Sequence, residues 1–180
     1  FVCYCDDCQA DAHFLGRANE VLDSNGGTDV VLLAPRQLQF THGAENLKCL
    51  RLAPKGLYRW YAGCCKTPVA NSISSKMPFA GVIHTIMDHS AHNMTRNEAL
   101  GTIRAGVLGK FGIGKLPSYA HRKTPLGVTL SAIRFLIVGR ILGKNTPSPF
   151  FDATTGKAKV KPYVLTETER EDLRKFCGPK

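Results

Sequence analysis

The sequence is short of acids. Fourteen Asp and Glu stand against twenty-four Lys and Arg in 180 residues, a formal charge of +10 and a pI near 9.4. Between Lys110 and Lys161 there are ten Lys or Arg and a single acid, Asp152, so this stretch holds nine of the ten surplus charges. Such an excess raises the question of an anionic partner, whether nucleic acid, a membrane surface or a small acidic ligand. No nucleic-acid-binding motif accompanies the basic run, so nucleic acid is not expected, and a solvated face accounts for it more simply. Long hydrophobic runs are also missing. The longest, Leu126 to Leu142, is interrupted by Arg134 and Arg140 and falls short of the roughly 18 apolar residues a membrane span needs, so a core helix and no membrane partner are expected. A phosphate loop is excluded as well: Gly109-Lys-Phe-Gly-Ile-Gly-Lys115 runs into Leu116-Pro117, not into Ser or Thr opening a helix. Repeats and low-complexity segments are absent. No signal peptide is expected, since the opening carries Cys and Asp where an apolar segment is required. The chain opens on Phe1 directly before a cysteine cluster, which points to a segment upstream.

What is present is cysteine, seven in all, and three of them fall within six residues as Cys3-Tyr4-Cys5-Asp6-Asp7-Cys8. Three cysteines this close cannot pair with one another without strain, and seven is an odd number, so a reducing cytosol fits better than a disulfide framework. A C-x-C-x-x-C cluster gathers thiolates around a soft metal, here read as Zn²⁺, and leaves one tetrahedral corner to fill. Water or a substrate thiol can take that corner, or Cys64 or Cys65 can close it. The first arrangement predicts chemistry, the second a scaffold. Adjacent cysteines on a strand point to opposite faces, so Cys64 and Cys65 both ligate only if the chain kinks after Gly63. A four-iron cluster is an alternative for any four thiolates, although its usual spacings differ. His13, five residues after Cys8, is a candidate to approach the ion or its substrate. Cys49 and Cys177 read as ordinary small hydrophobes or surface thiols. His84, His89 and His92 read as polar loop residues.

With 43% apolar and 21% charged residues, the chain is long enough for one sizeable core and too short for two. Asp6 and Asp7 suit a helix start, and good helix formers follow to Gly16. Strand-like runs come next at 29–33, 37–41, 47–52 and 57–62, with a fifth at 79–86, an antiparallel meander. Ala53-Pro54-Lys55-Gly56 has the pattern of a type I turn, which pairs 47–52 with 57–62 and puts Cys49 roughly opposite Trp60. From Thr95 the character becomes helical, at 96–108 and 128–142, with a loop-like stretch at 147–162 anchored by Phe150 and Phe151. Thr166-Glu-Thr-Glu169 is a capping box opening a last helix through Phe176.

A second element, Arg59-Trp60-Tyr61-Ala62-Gly63-Cys64-Cys65-Lys66-Thr67-Pro68, makes the chain resemble a known family. The triplet, followed after a strand meander by Arg, two aromatics, C-x-x-C, Gly, Ser or Thr and Pro, is similar to the signature of the glutathione-dependent formaldehyde-activating enzyme and centromere protein V (GFA) superfamily. Arg59, Trp60, Tyr61, Cys65, Thr67 and Pro68 match it. Gly26-Gly27-Thr28-Asp29, the 147–152 stretch and Val164-Leu165-Thr166 make the chain look most like an uncharacterised bacterial branch. It departs at Ala62, where the family has the first Cys of the C-x-x-C, at Lys66, where it has Gly, and in lacking the upstream C-x-C. In the family the upstream C-x-C pair and the C-x-x-C hold a structural zinc.

The resemblance implies an α+β fold, with a zinc-bearing antiparallel β core of Mss4-like, GFA type over 1–94. A helical, basic C-terminal extension over 95–180 packs on the same domain. It further implies a catalytic zinc on Cys3, Cys5 and Cys8, and carbon–sulfur lyase chemistry on a glutathione adduct or another thiol-containing substrate. Cys65 is the favoured extra ligand, and Cys64 can stand in for the Cys missing at Ala62. Arg59 and His13 are the candidate substrate-binding residues. The competing expectation is a zinc-stapled scaffold binding an acidic partner; a catalytically dead family member is the third.

Overall fold

The computed structural model describes residues 1–89 and 92–179. Eight strands form one mixed, mostly antiparallel sheet, and the chain is α+β. The strands are β1 (Val2–Cys3), β2 (Thr28–Leu33), β3 (Leu47–Arg51), β4 (Tyr58–Ala62), β5 (Pro68–Ser72), β6 (Ala80–Ile83), β7 (Gly106–Val107) and β8 (Tyr163–Val164). Their spatial order is β7-β1-β2-β6-β5-β4-β3-β8. The middle is a meander from β3 to β6, closed by β2 alongside β6. The predicted hairpin forms, with Cys49 opposite Trp60 and the Gly56 amide bonded to the Ala53 carbonyl at 2.9 Å. Both outermost ladders are parallel, β1 with β7 and β3 with β8. The C-terminal half of the chain thus supplies both edges of the sheet.

Among the described residues there are five α-helices, α1 (Asp6–Phe14), α2 (Ala18–Val21), α3 (Arg96–Leu100), α4 (Leu126–Ile141) and α5 (Glu167–Arg174). The Thr166–Glu169 capping box opens α5 as the sequence predicts, and a second box, Thr95 with Glu98, opens α3. Three expectations are corrected. No strand forms at 37–41: Pro35 starts a 3₁₀ turn over Pro35–Gln37, and the side of β3 away from β4 pairs with β8; beside β4 lies β5, absent from the expected strands, whose Pro68 stands at its first position, where a missing N–H is tolerated. The helix over 96–108 stops at Leu100, because Gly101 turns to φ +76° and the chain then re-enters the sheet as β7. The strand over 79–86 ends at Ile83, giving way to a 3₁₀ turn at His84–Ile86.

The largest buried side chains define where the core sits. Trp60 and Phe150 are 1% and 0% exposed and stack with ring centroids 5.0 Å apart, while Phe151 meets Trp60 edge-on at 5.6 Å. The indole N–H of Trp60 donates to Ser72 Oγ at 2.8 Å, so the ring is buried without an orphaned donor. Phe150 and Phe151 lie over a hundred residues from β1 and belong to the same core as the meander. Near the site, Gly27 permits a close approach. A Cβ there would lie 2.5 Å from Val2 Cγ1 and 2.6 Å from Tyr4 Cε1, so β1 can lie against β2 only with glycine at that position.

Because Phe150 is fully enclosed, Phe150→Ala should lower the unfolding free energy by about 3–5 kcal/mol in a urea titration. A loss below about 1 kcal/mol, typical of surface substitutions, would show that the 147–152 stretch is not part of the core.

Candidate metal centre

The triplet sits at a strand-to-helix junction, and that junction explains its spacing. β1 is extended through Cys3, and Cys5 keeps extended angles (φ −63°, ψ 150°) as the residue before α1. Residues two apart in an extended chain share a face, so Cys3 and Cys5 point the same way. Tyr4 points the other way, is fully buried, and bonds through its hydroxyl to Asp23 at 3.2 Å. Helix α1 then begins, and Cys8 in its first turn swings back over Cys5, whose Sγ accepts the Cys8 amide at 3.4 Å as a helix cap. The C-x-C half therefore uses the strand period, and the C-x-x-C half uses the first helical turn.

The three Sγ atoms all lie within 4.8 Å of one another, with Cys3 and Cys5 3.4 Å apart, and can hold a metal ion. Cys3 and Cys8 are buried against Val30, Ile83 and Val107, and Cys5 is half-buried. Sulfurs this crowded in apolar surroundings cannot all ionise without a cation. Hydrogen bonds from the Cys3 and Cys5 thiols, helped by the Arg59 guanidinium, hold Cys8 well below the usual thiol range. Cys5 is pushed the other way by its sulfur neighbours and by burial, and Cys3 is raised too, so of the three thiols Cys8 is the one whose surroundings favour ionisation. The start of α1, with its free amides and dipole, favours that charge.

Beneath Cys8 lies a residue pair the sequence reading only half found. Arg59, on β4, is 3% exposed, and its Nη1 donates to Asp11 Oδ2 at 3.4 Å. Asp11 stands one helical turn after Cys8, so the two share a face of α1. Burial pushes the Asp11 carboxyl up to about 6 against the pull of Arg59, and its Oδ1 has no hydrogen-bond partner. Asp11 escaped notice because acids early in a helix are common; the Cys8-x-x-Asp11 spacing was the available signal. Arg59 reaches the cluster from underneath, and its charge is directed at Asp11 and Cys8, not at solvent.

The remaining candidates do not join the sulfurs. Among the described residues, the group of His, Cys, Asp or Glu that converges for a metal is Cys3, Cys5 and Cys8. Cys64 and Cys65 are exposed in the turn between β4 and β5. The chain does kink there, with Lys66 at φ +57°, and brings their Sγ atoms to 3.8 Å. A hydrogen bond with the Thr67 hydroxyl, 3.1 Å away, holds the Cys65 thiol below its ordinary value. This turn lies near the far end of α1, where Arg17 donates to Thr67 Oγ1. His13 is also at that end, stacked on Phe176 at 4.7 Å. Cys49 is buried, and burial pushes its thiol up to about 12, so it is an inert core residue. His84 meets His89 rather than His92, with Nε2 atoms 3.1 Å apart; Ser90 and Ala91, within the His89-x-x-His92 spacing, lie outside the described residues.

Four contacts from distant sequence clamp the junction. Arg170 and Arg174 of α5 pair with Asp7 at 2.7 Å and Asp6 at 3.6 Å. Gln9, fully buried, donates to the carbonyls of Tyr4 and Phe111 and accepts from the Gly178 amide. A cleft of about 290 Å³ opens beside β1, lined by Val2, Asp23, Asp29 and Tyr119 among others, but the sulfurs are not on its wall.

With this geometry in place, comparison with known proteins supplies one assignment, a family model matching residues 1–161. The chain belongs to DUF6151, a family of unknown function. Neither a curated protein nor a solved structure matches it, so no named relative ties DUF6151 here to the GFA superfamily. The match spans the cysteine junction, the whole meander, α4 and the Phe150–Phe151 anchor; α5, which clamps the junction, follows the matched residues. No helix among the described residues of this DUF6151 chain is long and apolar enough to cross a membrane.

Arg59→Ala should destabilise the protein by about 3–5 kcal/mol, since it strands the Asp11 carboxyl in the core. It should also raise the Cys8 pKa, read as slower alkylation of that thiol in the metal-free protein at neutral pH. Unchanged stability together with unchanged Cys8 reactivity would remove Arg59 from the site.

Proposed function

We propose that the chain is a zinc protein of the GFA type, Mss4-like in its β core, and a carbon–sulfur lyase acting on a glutathione or other thiol adduct. The observation that carries this reading is the incomplete ligand set: three sulfurs converge, and no fourth His, Cys, Asp or Glu among the described residues joins them. The residues fit zinc. Four sulfurs at about 2.3 Å around a tetrahedral ion lie about 3.8 Å from one another, close to the 3.4 Å between Cys3 and Cys5 and within the 4.8 Å that bounds all three. An iron–sulfur cluster, with its usual four thiolates, fits a three-sulfur set less well.

Zn²⁺ on three thiolates supplies a soft Lewis acid with a net charge of −1 and an affinity for a sulfur leaving group. Cys3, Cys5 and Cys8 hold it. Arg59 offsets the negative charge at Cys8 and thereby acts through a ligand, not on a substrate carboxylate. In the proposed reaction the carbon–sulfur bond of an S-hydroxymethyl thiol breaks with its electron pair going to sulfur. The hydroxyl proton is lost, and the carbon leaves as a carbonyl. Cys5, the least buried of the three, marks the side from which a thiol adduct can arrive. Seven unpaired cysteines suit a reducing cytosol.

One observation favours the scaffold alternative: Cys3 and Cys8 are embedded in an apolar cluster, where a metal would also staple β1 to α1. Metal content and turnover separate the two readings. The purified protein should hold zinc on this cluster and release formaldehyde from S-hydroxymethylglutathione. Cys5→Ser should lose both the metal, measured by mass spectrometry, and the turnover. Full zinc occupancy in Cys5→Ser excludes the triplet as the ligand set. Zinc-dependent folding with no turnover on any thiol adduct assigns the metal a structural role.

A further inference from the structure

Helix α4 is apolar on two opposite faces, and the fold buries only one of them. Its inner side, with Ala132, Phe135 and Leu136, is half-buried, and Gly139 lies so close to Pro78 that a Cβ would be 2.9 Å away. Its outer side carries Leu126 (73% exposed), Leu130 (56%), Ile133 (45%), Ile137 (56%) and Ile141 (77%). At 3.6 residues per turn, Leu126, Leu130, Ile137 and Ile141 fall within an arc of about 60°, and Ile133 borders it. Arg134 flanks this stripe on one side and Arg140 on the other; both are exposed. A helix that is hydrophobic all round is ordinarily enclosed on all sides, and five large aliphatic side chains in a row on water mark an interaction surface.

Charge and area select the occupant. The stripe is about 24 Å long and no wider than a helix diameter of about 10–12 Å, roughly 250 Å², about a third of what a standard protein interface takes from each partner. A second copy packed on it would bring Arg134 and Arg140 against the same arginines, and α4 has no acid to pair with them. Arg122 and Lys123 precede the helix, Lys144 follows it, and all three are exposed. In sequence the helix lies within the basic stretch, with its ten cations and one acid. A narrow apolar stripe between cations, on a helix too short to span a bilayer, is the arrangement of a segment lying in the plane of a membrane surface.

We propose that α4 seats this protein on anionic phospholipid. Leu126, Leu130, Ile137 and Ile141 enter the boundary between headgroups and acyl chains, and Arg134 and Arg140 lie at the level of the phosphates. The reading that excluded a membrane partner rested on the want of a spanning segment, a separate matter from attachment to a surface. The inference does not use the sulfurs: α4 meets the apolar cluster around Cys3 and Cys8 through Val128, on its covered side, and the stripe is on the other.

The test is co-sedimentation of the full chain with phosphatidylcholine vesicles, with and without about one third phosphatidylserine. The protein should sediment with the anionic vesicles, more weakly with phosphatidylcholine alone, and less as salt is raised. The double variant Leu130→Ser/Ile137→Ser alters only outward side chains, so its unfolding midpoint should hold while its vesicle affinity falls about ten-fold or more. Arg134→Gln/Arg140→Gln should lose the preference for phosphatidylserine. Absence of sedimentation, or full binding by either variant, overturns the proposal. So does a dimer, measured by light scattering, that the serine variant dissolves, because the stripe then belongs to a second copy.

Discussion

The structure around the candidate centre depends on one constraint, that three sulfurs in apolar surroundings be offered at a single point. The backbone meets it by changing from extended to helical between Cys5 and Asp6. The strand period brings Cys3 and Cys5 to one side, and the first turn of α1 returns Cys8 to them. Negative charge gathered there needs support, which comes from the N-terminal end of the helix and from Arg59 beneath. Arg59 in turn needs Asp11, since a lone guanidinium in the core would cost far more than a paired one. Five side chains and one helix start thus form a single electrostatic unit.

That unit is held by segments remote in sequence. β1 has only two residues, yet it lies between β2 and β7, and its close approach to β2 requires Gly27. α5 pairs its arginines with the two acids that open α1, and Gln9 links the loop after β1 to Phe111 and Gly178. Residues 95–180 therefore do more than extend a finished β core. They supply both edge strands, two of its largest buried rings and the clamp on the cysteine junction.

The sulfur junction and the outward face of α4 have different physical character. Around the sulfurs, charge is buried, paired and fixed in place, as suits a site that must present ligands in one geometry. Along the outward face of α4, apolar groups and the flanking Arg134 and Arg140 face water, as the proposed seat on anionic lipid requires. Half of the cations between 110 and 161 lie on this helix or within four residues of it, at Arg122, Lys123, Arg134, Arg140 and Lys144.

Patterns of short range were legible in the sequence: the Cys3-Cys5-Cys8 spacing, the helix opened by Asp6 and Asp7, the hairpin around Pro54, the Thr166 capping box and the place of α4. Each depends on neighbours within about four residues, where backbone geometry leaves few choices. What tertiary structure alone decided is long-range. It made a strand of 68–72 beside β4, gave the side of β3 expected for 37–41 to 163–164, and turned 106–107 into an edge of the sheet. It sank Arg59 beneath Cys8, and it left Cys64, Cys65 and His13 at the far end of α1. It also exposed one face of a helix that its own composition marks for burial. These outcomes follow from competition among distant segments for the same core and the same sheet edges, and no local pattern carries the result of that competition.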